Sequence, residues 1–201
     1  MSSEAHLAEV TARPEVLAAL QTDPVMAALV ARHGPYRWGL HPPYATLVRA
    51  IVGQQLSNAA ARTIYARLKA RVGLDPAALL AASEASLRAV GLSRVKIGYL
   101  RGLARFALEG GLEGLEALPD AEVARQLGAL KGVGPWTVEM LLIFGLGRMN
   151  VWPVADLGLA RQARALYGVA DRAGLVRLGE RFQPYRSAAA WYLWAEADGK
   201  A

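Results

Sequence analysis

Cysteine is absent from the 201-residue chain. This excludes a disulfide framework, an iron–sulfur cluster held by thiolates and a cysteine-ligated zinc site. The three histidines, His6, His33 and His41, show neither an i, i+4 pair nor a nearby carboxylate pattern, so we expect surface or loop histidines and no metal site. Residues 1–13 do not resemble a signal peptide, and no uncharged apolar run approaches membrane-spanning length, so we expect a cytoplasmic protein without membrane contact.

Acidic residues are in the minority. Lys and Arg number 23 against 17 Asp and Glu, which gives a net charge of +6 and a sequence pI of about 9.9. This excess favours a polyanionic partner such as nucleic acid. A hydrophobic fraction of 54% is enough for one folded unit or two small lobes that share a core.

Alternating patterns of the kind that strands require are also rare, and helical periodicity dominates, which predicts an all-α fold. The first helical segment, 14–31, should break near Asp23, and a loop should follow over 33–44. Two helices should meet at "GQQLS", residues 53–57. Helix starts are expected at residues that can cap a first turn: Ser57, Ser93, Asp120, Asp156 and Asp171.

A glycine-dependent turn precedes an apolar helical pattern in "LKGVGPWTVEML", residues 130–141. Gly132 and Gly134 permit positive φ and the close approach of a partner, and Pro135 suits the first turn of a helix. A helix N-terminus of this kind binds phosphate through its backbone amides. From these residues alone, a simple turn between two helices and a DNA-gripping hairpin are equally good interpretations.

Three further stretches accompany the hairpin: "LVRAIVGQQLSNAAARTIY" before it, and "VWPVADLGLARQ" and "ERFQPYRSAAAWYLWAE" after it. Together the four stretches resemble the helix–hairpin–helix DNA glycosylase superfamily, and within it the alkylpurine branch of 3-methyladenine DNA glycosylases of the second type. The resemblance extends from about Tyr44 to Glu196. The chain resembles the compact members, without the N-terminal β-rich domain of the best-known bacterial one.

The resemblance implies a single glycosylase unit over residues 1–201, built from two helical lobes with a cleft for DNA and the active site between them. One lobe would span 46–148, with the hairpin at 130–137. The other would combine 14–45 with 149–201. The resemblance also implies a monomer that acts on double-stranded DNA with alkylated bases. No cofactor is expected, apart from a monovalent cation that the hairpin can bind.

Asp156 lies twenty-two positions after Gly134, where the resemblance implies the catalytic aspartate. By itself, an aspartate at a helix start is most simply an N-cap. In the catalytic interpretation, its carboxylate stabilises positive charge on the deoxyribose as the N-glycosidic bond breaks, or orients and deprotonates the attacking water. The sequence does not separate these two roles.

Trp136 occupies the position, two residues after the second hairpin glycine, where strand-cleaving relatives carry a lysine, so the resemblance implies a monofunctional enzyme that leaves an abasic site. A purine methylated at N3 or N7 is cationic, and aromatic side chains attract it. Trp136 and Trp194 are expected in the pocket, with core packing as the alternative for each, and Tyr44 and Trp38 are further candidates for its lining. Trp191 is expected in the core.

The remaining predicted contacts are with DNA itself. The resemblance assigns Gln55 of "GQQLS" as the wedge that fills the gap left by a flipped base. From the residues alone, the alternative is a pair of helix-surface glutamines in a kink. Contacts with the DNA backbone are expected from the hairpin and from one basic helix start: Lys131, Gly132, Val133, Gly134, Arg94 and Lys96. For the two helix-start cations, a solvated surface is the simpler alternative.

Two other functions fit parts of the sequence. One is a non-catalytic helix–hairpin–helix protein that binds DNA or senses damage, which would need neither Asp156 nor its tryptophan partners. The other is a glycosylase for uracil or mismatched bases on the same scaffold, with a pocket for neutral bases.

Overall fold

The computed structural model describes residues 8–197 and 199. His6 lies outside the described residues, as does most of the 1–13 segment, so the expectations placed on them stay predictions. Within the described part of the chain, no helix is long and apolar enough to cross a membrane. Nor do any three His, Asp or Glu side chains of that part group closely enough to hold a metal ion.

Helices make up most of the described chain, which confirms the predicted helical fold class. In chain order they are α1 (Pro14–Leu20), α2 (Pro24–His33), α3 (Pro43–Gly53), α4 (Asn58–Arg71), α5 (Pro76–Ala81), α6 (Glu84–Ala89), α7 (Arg94–Leu108), α8 (Asp120–Gly128), α9 (Pro135–Phe144), α10 (Leu157–Tyr167), α11 (Arg172–Glu180) and α12 (Arg186–Ala197). A 3₁₀ turn, Leu115–Ala117, precedes α8.

A small antiparallel sheet accompanies the helices. Strand β1 (Glu9–Thr11) pairs with β2 (Arg37–Gly39), with Val10 opposite Trp38. The second strand lies inside the segment 33–44 that the sequence assigned to a loop. Strands of three residues are too short for alternating hydrophobicity to reveal them.

Most of the predicted helix starts are confirmed by side-chain caps. Ser57 accepts a hydrogen bond from Ala60 N at 3.3 Å, and Asp171 accepts one from Gly174 N at 2.7 Å. Ser93 and Asp156 cap α7 and α10 in the same way. The prediction for Asp120 was wrong, because the cap position of α8 is held by the preceding proline and Asp120 is the first helical residue. Helices α5 and α6 were not predicted, since six residues give little periodicity.

The chain divides into two compact units. One comprises His41–Leu141, and the other combines the described residues before His41 with those after Leu141. In the first unit, α7 packs against α3 and α5, and Leu47, Ile51 and Leu100 are fully buried. In the second, α12 packs against α2 and α10 around Tyr36 and Tyr192. The lobe boundaries predicted from the sequence, at 46 and 148, differ from these by several residues.

His33 shows how a long-range contact changes a local expectation. It is the last residue of α2, and its side chain is only 3% exposed. Its Nε2 lies 2.7 Å from Glu196 Oε2, and Arg32 pairs with the same carboxylate. The expectation of a surface histidine was wrong because the carboxylate partner lies 163 residues further along the chain.

Candidate functional site

Asp156 is fixed by two hydrogen bonds to a single carboxylate oxygen. Its Oδ1 accepts from Leu159 N at 2.7 Å, which caps α10, and from Trp194 Nε1 at 3.0 Å. The side chain is half-buried. Asp156 is therefore both an N-cap and the hydrogen-bond partner of a tryptophan: the same carboxylate caps α10 and accepts a hydrogen bond from an indole on α12. A hydrogen bond from each of two elements holds its orientation.

Trp194 is itself held by a second ring. Its indole lies against the ring of Phe144, the last residue of α9, with centroids 5.7 Å apart and planes tilted by 35°. The side chain is half-buried, so part of its aromatic surface remains accessible. The structure therefore brings Trp194 and Asp156 together. The pocket role of Trp194 and the catalytic role of Asp156 stay predictions.

Two other tryptophans of the unit that contains Asp156 contact protein groups, although Trp191, which was expected in the core, is only half-buried. Trp191 meets Tyr192 edge-on, with ring centroids 5.0 Å apart. Trp38 is 6% exposed, and its Nε1 donates to Ile143 O at 3.1 Å. Because the Trp38 indole is buried and hydrogen-bonded, it is a core residue rather than a lining residue of a site.

The segment that leads into Asp156 is anchored along its length. Ser187 N donates to Met149 O at 2.9 Å, and Val151 N donates to Ser187 Oγ at 3.1 Å. Further on, Trp152 is buried and its Nε1 donates to Leu175 O at 2.9 Å. Hydrogen bonds with α11 and α12 thus fix the backbone of the segment that leads to Asp156.

In the other unit, the hairpin turn depends on glycine at one of its two positions. Gly132 has a φ of +86°, and a Cβ placed there would lie 2.2 Å from Tyr99 Cγ. Gly134 lies outside the positive-φ region, and nothing approaches within 4 Å of its Cβ position. The predicted need for positive φ and close approach therefore holds at Gly132, where the partner is a protein ring.

The hairpin residues predicted to contact the DNA backbone differ in exposure and in whether their N–H groups are already hydrogen-bonded. Lys131 and Gly134 are exposed, whereas the Val133 side chain is 6% exposed and belongs to the core. The Val133 N–H donates to Leu130 O at 3.1 Å, so the expectation of an outward-facing amide is wrong there. Gly134 O accepts from Val138 N at 3.1 Å, the first bond of the α9 ladder. The predicted phosphate site therefore falls on Lys131, Gly134 and the first turn of α9.

The turn between α3 and α4 holds Gln55 in an uncommon conformation. Gln54 has φ −51° and ψ 130°, Gln55 has φ +58°, and Leu56 N donates to Gly53 O at 3.1 Å. These angles are those of a type II turn, whose third position favours glycine or asparagine. A glutamine there costs about 1–2 kcal/mol. Its side chain is exposed, as a wedge requires, and strain of this kind is typical of functional positions.

Two side chains bind this turn. The amide of Gln54 donates from Nε2 to Gly132 O at 2.8 Å and to Thr137 Oγ1 at 3.0 Å. Lys96 Nζ donates to Val52 O and to Gln54 O, each at 2.7 Å, and burial lowers the pKa of Lys96. Lys96 was predicted as a DNA backbone contact, and two of its three donors serve the protein instead. Arg94, the other predicted cation, is exposed and pairs with Glu84 at 3.2 Å.

Tyr44 and Trp136, the remaining predicted pocket residues, are both half-buried in this unit. Tyr44 is the second residue of α3, and its hydroxyl is buried without a hydrogen-bond partner among the described residues. Burial raises the pKa of Tyr44 to about 12, with a further contribution from Asp75. Trp136 is the second residue of α9. Their pocket role stays a prediction.

Sequence reasoning missed three supporting residues, Gln54, Thr137 and Tyr99. The only local signal was a second glutamine beside the predicted wedge, and the contacts of Gln54 lie 78 and 83 residues away. Thr137 and Tyr99 look like ordinary helix residues, because nothing in their own segments indicates the hairpin that they support.

Comparison with known proteins places these features in context. The model of the HhH-GPD superfamily base excision DNA repair proteins matches residues 48–180. The chain is 36% identical over 162 residues to DNA-3-methyladenine glycosylase 1 of Schizosaccharomyces pombe, covering 76% of this chain and 71% of that protein. It is 30% identical over 206 residues to DNA-3-methyladenine glycosylase 2 of Escherichia coli, covering 93% and 71%.

A solved structure is similar over nearly the whole fold. The S. pombe 3-methyladenine DNA glycosylase, in complex with abasic DNA, superposes with a TM-score of 0.85 at 33% identity, covering 92% of this chain and 97% of that one. The segment matched by the family model contains the turn at Gln55, the hairpin and Asp156.

Proposed function

The chain belongs to the HhH-GPD superfamily of base excision DNA repair proteins, and from this premise we propose that it is a monofunctional DNA glycosylase that removes alkylated purines and leaves an abasic site. The observation that carries the proposal is the Asp156 carboxylate, held by the amide of Leu159 and the indole of Trp194. Binding to the DNA backbone alone requires neither the carboxylate nor the indole, so this pair favours an enzyme over a damage sensor.

The reaction breaks the bond between C1′ of the deoxyribose and the base nitrogen. The bonding electrons leave with the base, so a cationic alkylated purine departs as a neutral molecule. Positive charge develops on the sugar, and the oriented carboxylate of Asp156 stabilises it. Water then adds to C1′ and loses a proton, which completes the hydrolysis. The hairpin amides and Lys131 hold the DNA backbone while the nucleotide is extruded.

Alkylated purines are the favoured substrates because they leave without strong acid catalysis. A cationic purine is attracted to the faces of aromatic side chains. Trp194 lies directly beside Asp156, and Trp136 and Tyr44 are the further aromatic residues that we assign to base binding. Trp136 also stands where a strand-cleaving relative would carry its lysine, so no Schiff base forms.

We assign double-stranded DNA with alkylated bases as the partner, a monomer as the working form and the cytoplasm, next to the chromosome, as its location. The reaction requires no cofactor. A monovalent cation at the hairpin would use backbone carbonyl oxygens. Those of Leu130, Gly132 and Gly134 each already accept one hydrogen bond, and each has a second lone pair.

The test compares two cap substitutions in the same unit, Asp156→Asn and Asp171→Asn. Asparagine caps helices as well as aspartate does, so both variants should remain folded. In the first variant, the side-chain oxygen of the introduced asparagine would still accept from the amide and the indole, but the negative charge is lost. We expect release of methylated purines from duplex DNA to fall about 100-fold or more for Asp156→Asn and to stay unchanged for Asp171→Asn.

Three outcomes would contradict the proposal. If the wild type binds alkylated DNA but releases no base, the chain is a non-catalytic binder. If it releases uracil or mismatched bases and leaves methylated purines in place, the pocket serves neutral bases. If strands break without alkali and borohydride traps a protein–DNA adduct, the enzyme is bifunctional.

A further inference from the structure

The exposed wedge candidate Gln55 is held in a strained turn, and the turn has two identifiable supports. A type II turn differs from the commoner type I turn mainly in the orientation of its central peptide. Here that peptide joins Gln54 to Gln55, and its carbonyl oxygen accepts from Lys96 Nζ at 2.7 Å. If this peptide flipped, the hydrogen bond would be lost and Gln55 would leave the positive-φ region.

The ammonium group of Lys96 also binds the C-terminal end of α3. Lys96 Nζ donates to Val52 O at 2.7 Å, one of the carbonyls that the helix C-terminus leaves without an intrahelical partner. Lys96 thus connects the last turn of α3 with the central peptide of the turn that follows. Its side chain is half-buried, which favours a fixed ammonium over one that swings out to solvent.

Gln54 fixes the turn from the other side. Its side-chain amide donates hydrogen bonds to Gly132 O in the hairpin and to Thr137 Oγ1 on α9. Thr137 is 1% exposed. Because a carbonyl oxygen only accepts, the amide must present its NH₂ group to Gly132, so the orientation of the side chain is determined. The turn that carries Gln55 is therefore tied to the hairpin expected to grip the DNA backbone.

Helix α7 supports both structures at once. Lys96 and Tyr99 lie three residues apart, on one face of the helix. Lys96 holds the turn, and the Tyr99 ring packs beneath Gly132 in the hairpin. The turn and the hairpin thus both rest on α7, and the hydrogen bonds of Gln54 connect them to each other.

We propose that Lys96 and Gln54 are positioning residues for base extrusion: Lys96 holds the 54–55 peptide so that Gln55 projects outward, and Gln54 keeps that turn in register with the hairpin. This inference rests on the proposed glycosylase function. It replaces a direct phosphate contact by Lys96, because the ammonium acts through Gln55 rather than on the DNA.

The test uses Lys96→Met and Gln54→Leu, which keep most of the apolar bulk of each side chain but remove the donors. Gln126→Leu is the matched control, because Gln126 Nε2 donates to Gly111 O at 2.9 Å in the same unit, and neither residue belongs to the turn at 53–56 or to the hairpin at 130–137. Excision is measured for one methylated purine in a stable base pair and for the same lesion in single-stranded DNA, where no pair must be opened. We expect each positioning variant to lower paired excision about tenfold or more and single-stranded excision little, and the control to change neither.

Two further readouts separate positioning from other roles. In a Gln55→Ala background, Lys96→Met should cause no additional loss, because the side chain through which it acts is gone. The slope of log K against log salt for binding to abasic duplex should also stay unchanged for Lys96→Met, whereas loss of a phosphate contact would reduce it by about one.

Three results would overturn the inference: equal losses on paired and single-stranded DNA, a full effect of Lys96→Met without Gln55, or a reduced salt slope. If the wild type excises nothing, the glycosylase proposal fails instead. The positioning role is then measured by fluorescence of 2-aminopurine beside a mismatch, and it fails if Lys96→Met leaves the extrusion signal at the wild-type level.

Discussion

Replacement of Gly132 by alanine should destabilise the protein far more than the same change at Gly134. At Gly132 the new methyl group would lie 2.2 Å from Tyr99 Cδ2 and Cγ and 2.8 Å from Tyr99 Cβ. These atoms are near the root of the side chain, so the ring cannot rotate clear of the methyl group. The φ of +86° adds a cost of about 1–2 kcal/mol, and the overpacking adds about 1–3 kcal/mol.

The sum, about 2–5 kcal/mol, is a large share of a typical stability of about 5–15 kcal/mol. For a chain of this length it corresponds to a loss of about 4–20 °C in Tm. Urea and thermal unfolding measure it directly. Gly134→Ala meets no neighbour and should change stability by less than about 1 kcal/mol, while it weakens binding to abasic duplex. Equal stabilities for the two variants would refute the role given to Tyr99.

Four other substitutions give further predictions. Trp194→Phe keeps an aromatic ring but removes the N–H that bonds to Asp156, so we expect excision to fall about 10- to 100-fold with little change in Tm, and an unchanged rate would contradict the pairing. Tyr44→Phe removes a hydroxyl without a partner among the described residues and should leave the free energy of unfolding unchanged or higher, whereas Tyr167→Phe removes a 2.9 Å hydrogen bond to a buried carboxylate and should cost about 1–3 kcal/mol. Burial raises the pKa of Tyr44 to about 12, so as pH rises above 10 the unfolded chain loses the hydroxyl proton before the folded chain does, and the free energy of unfolding falls. Tyr44→Phe should make this decrease with pH shallower, as measured by urea unfolding at several pH values. Gln55→Gly should raise stability by about 1 kcal/mol, since glycine adopts positive φ freely, and lower excision from stable pairs; a less stable variant would contradict the strain.

The sequence predictions that the structure confirmed rest on local patterns. Ser57, Ser93, Asp156 and Asp171 cap helices because a short polar side chain before an apolar periodic segment satisfies first-turn amides, whatever the tertiary structure. The hairpin glycine at 132 follows the same logic, since its φ is a property of the turn. Family membership followed from the order and spacing of several such features along the chain.

Long-range packing decided the rest. Lys96 looked like a surface cation because a basic helix start has many solvated examples, but two carbonyl groups more than forty residues earlier in the chain accept its hydrogen bonds. Val133 was expected to offer an amide, and the turn itself uses that N–H. Neither hydrogen bond produces a recognisable pattern in the surrounding sequence, so the sequence could not distinguish a DNA contact from an internal one.

The shared use of the Asp156 carboxylate has a consequence for how such proteins diverge. Because asparagine serves a helix cap as well as aspartate does, selection for a stable fold does not by itself maintain the negative charge at this position. Under the proposed mechanism, the single substitution Asp156→Asn would leave a folded protein that still binds DNA and has lost most of its excision activity. If Asp156 has the proposed catalytic role, the residue at this position would distinguish enzymes from non-catalytic relatives of the same fold.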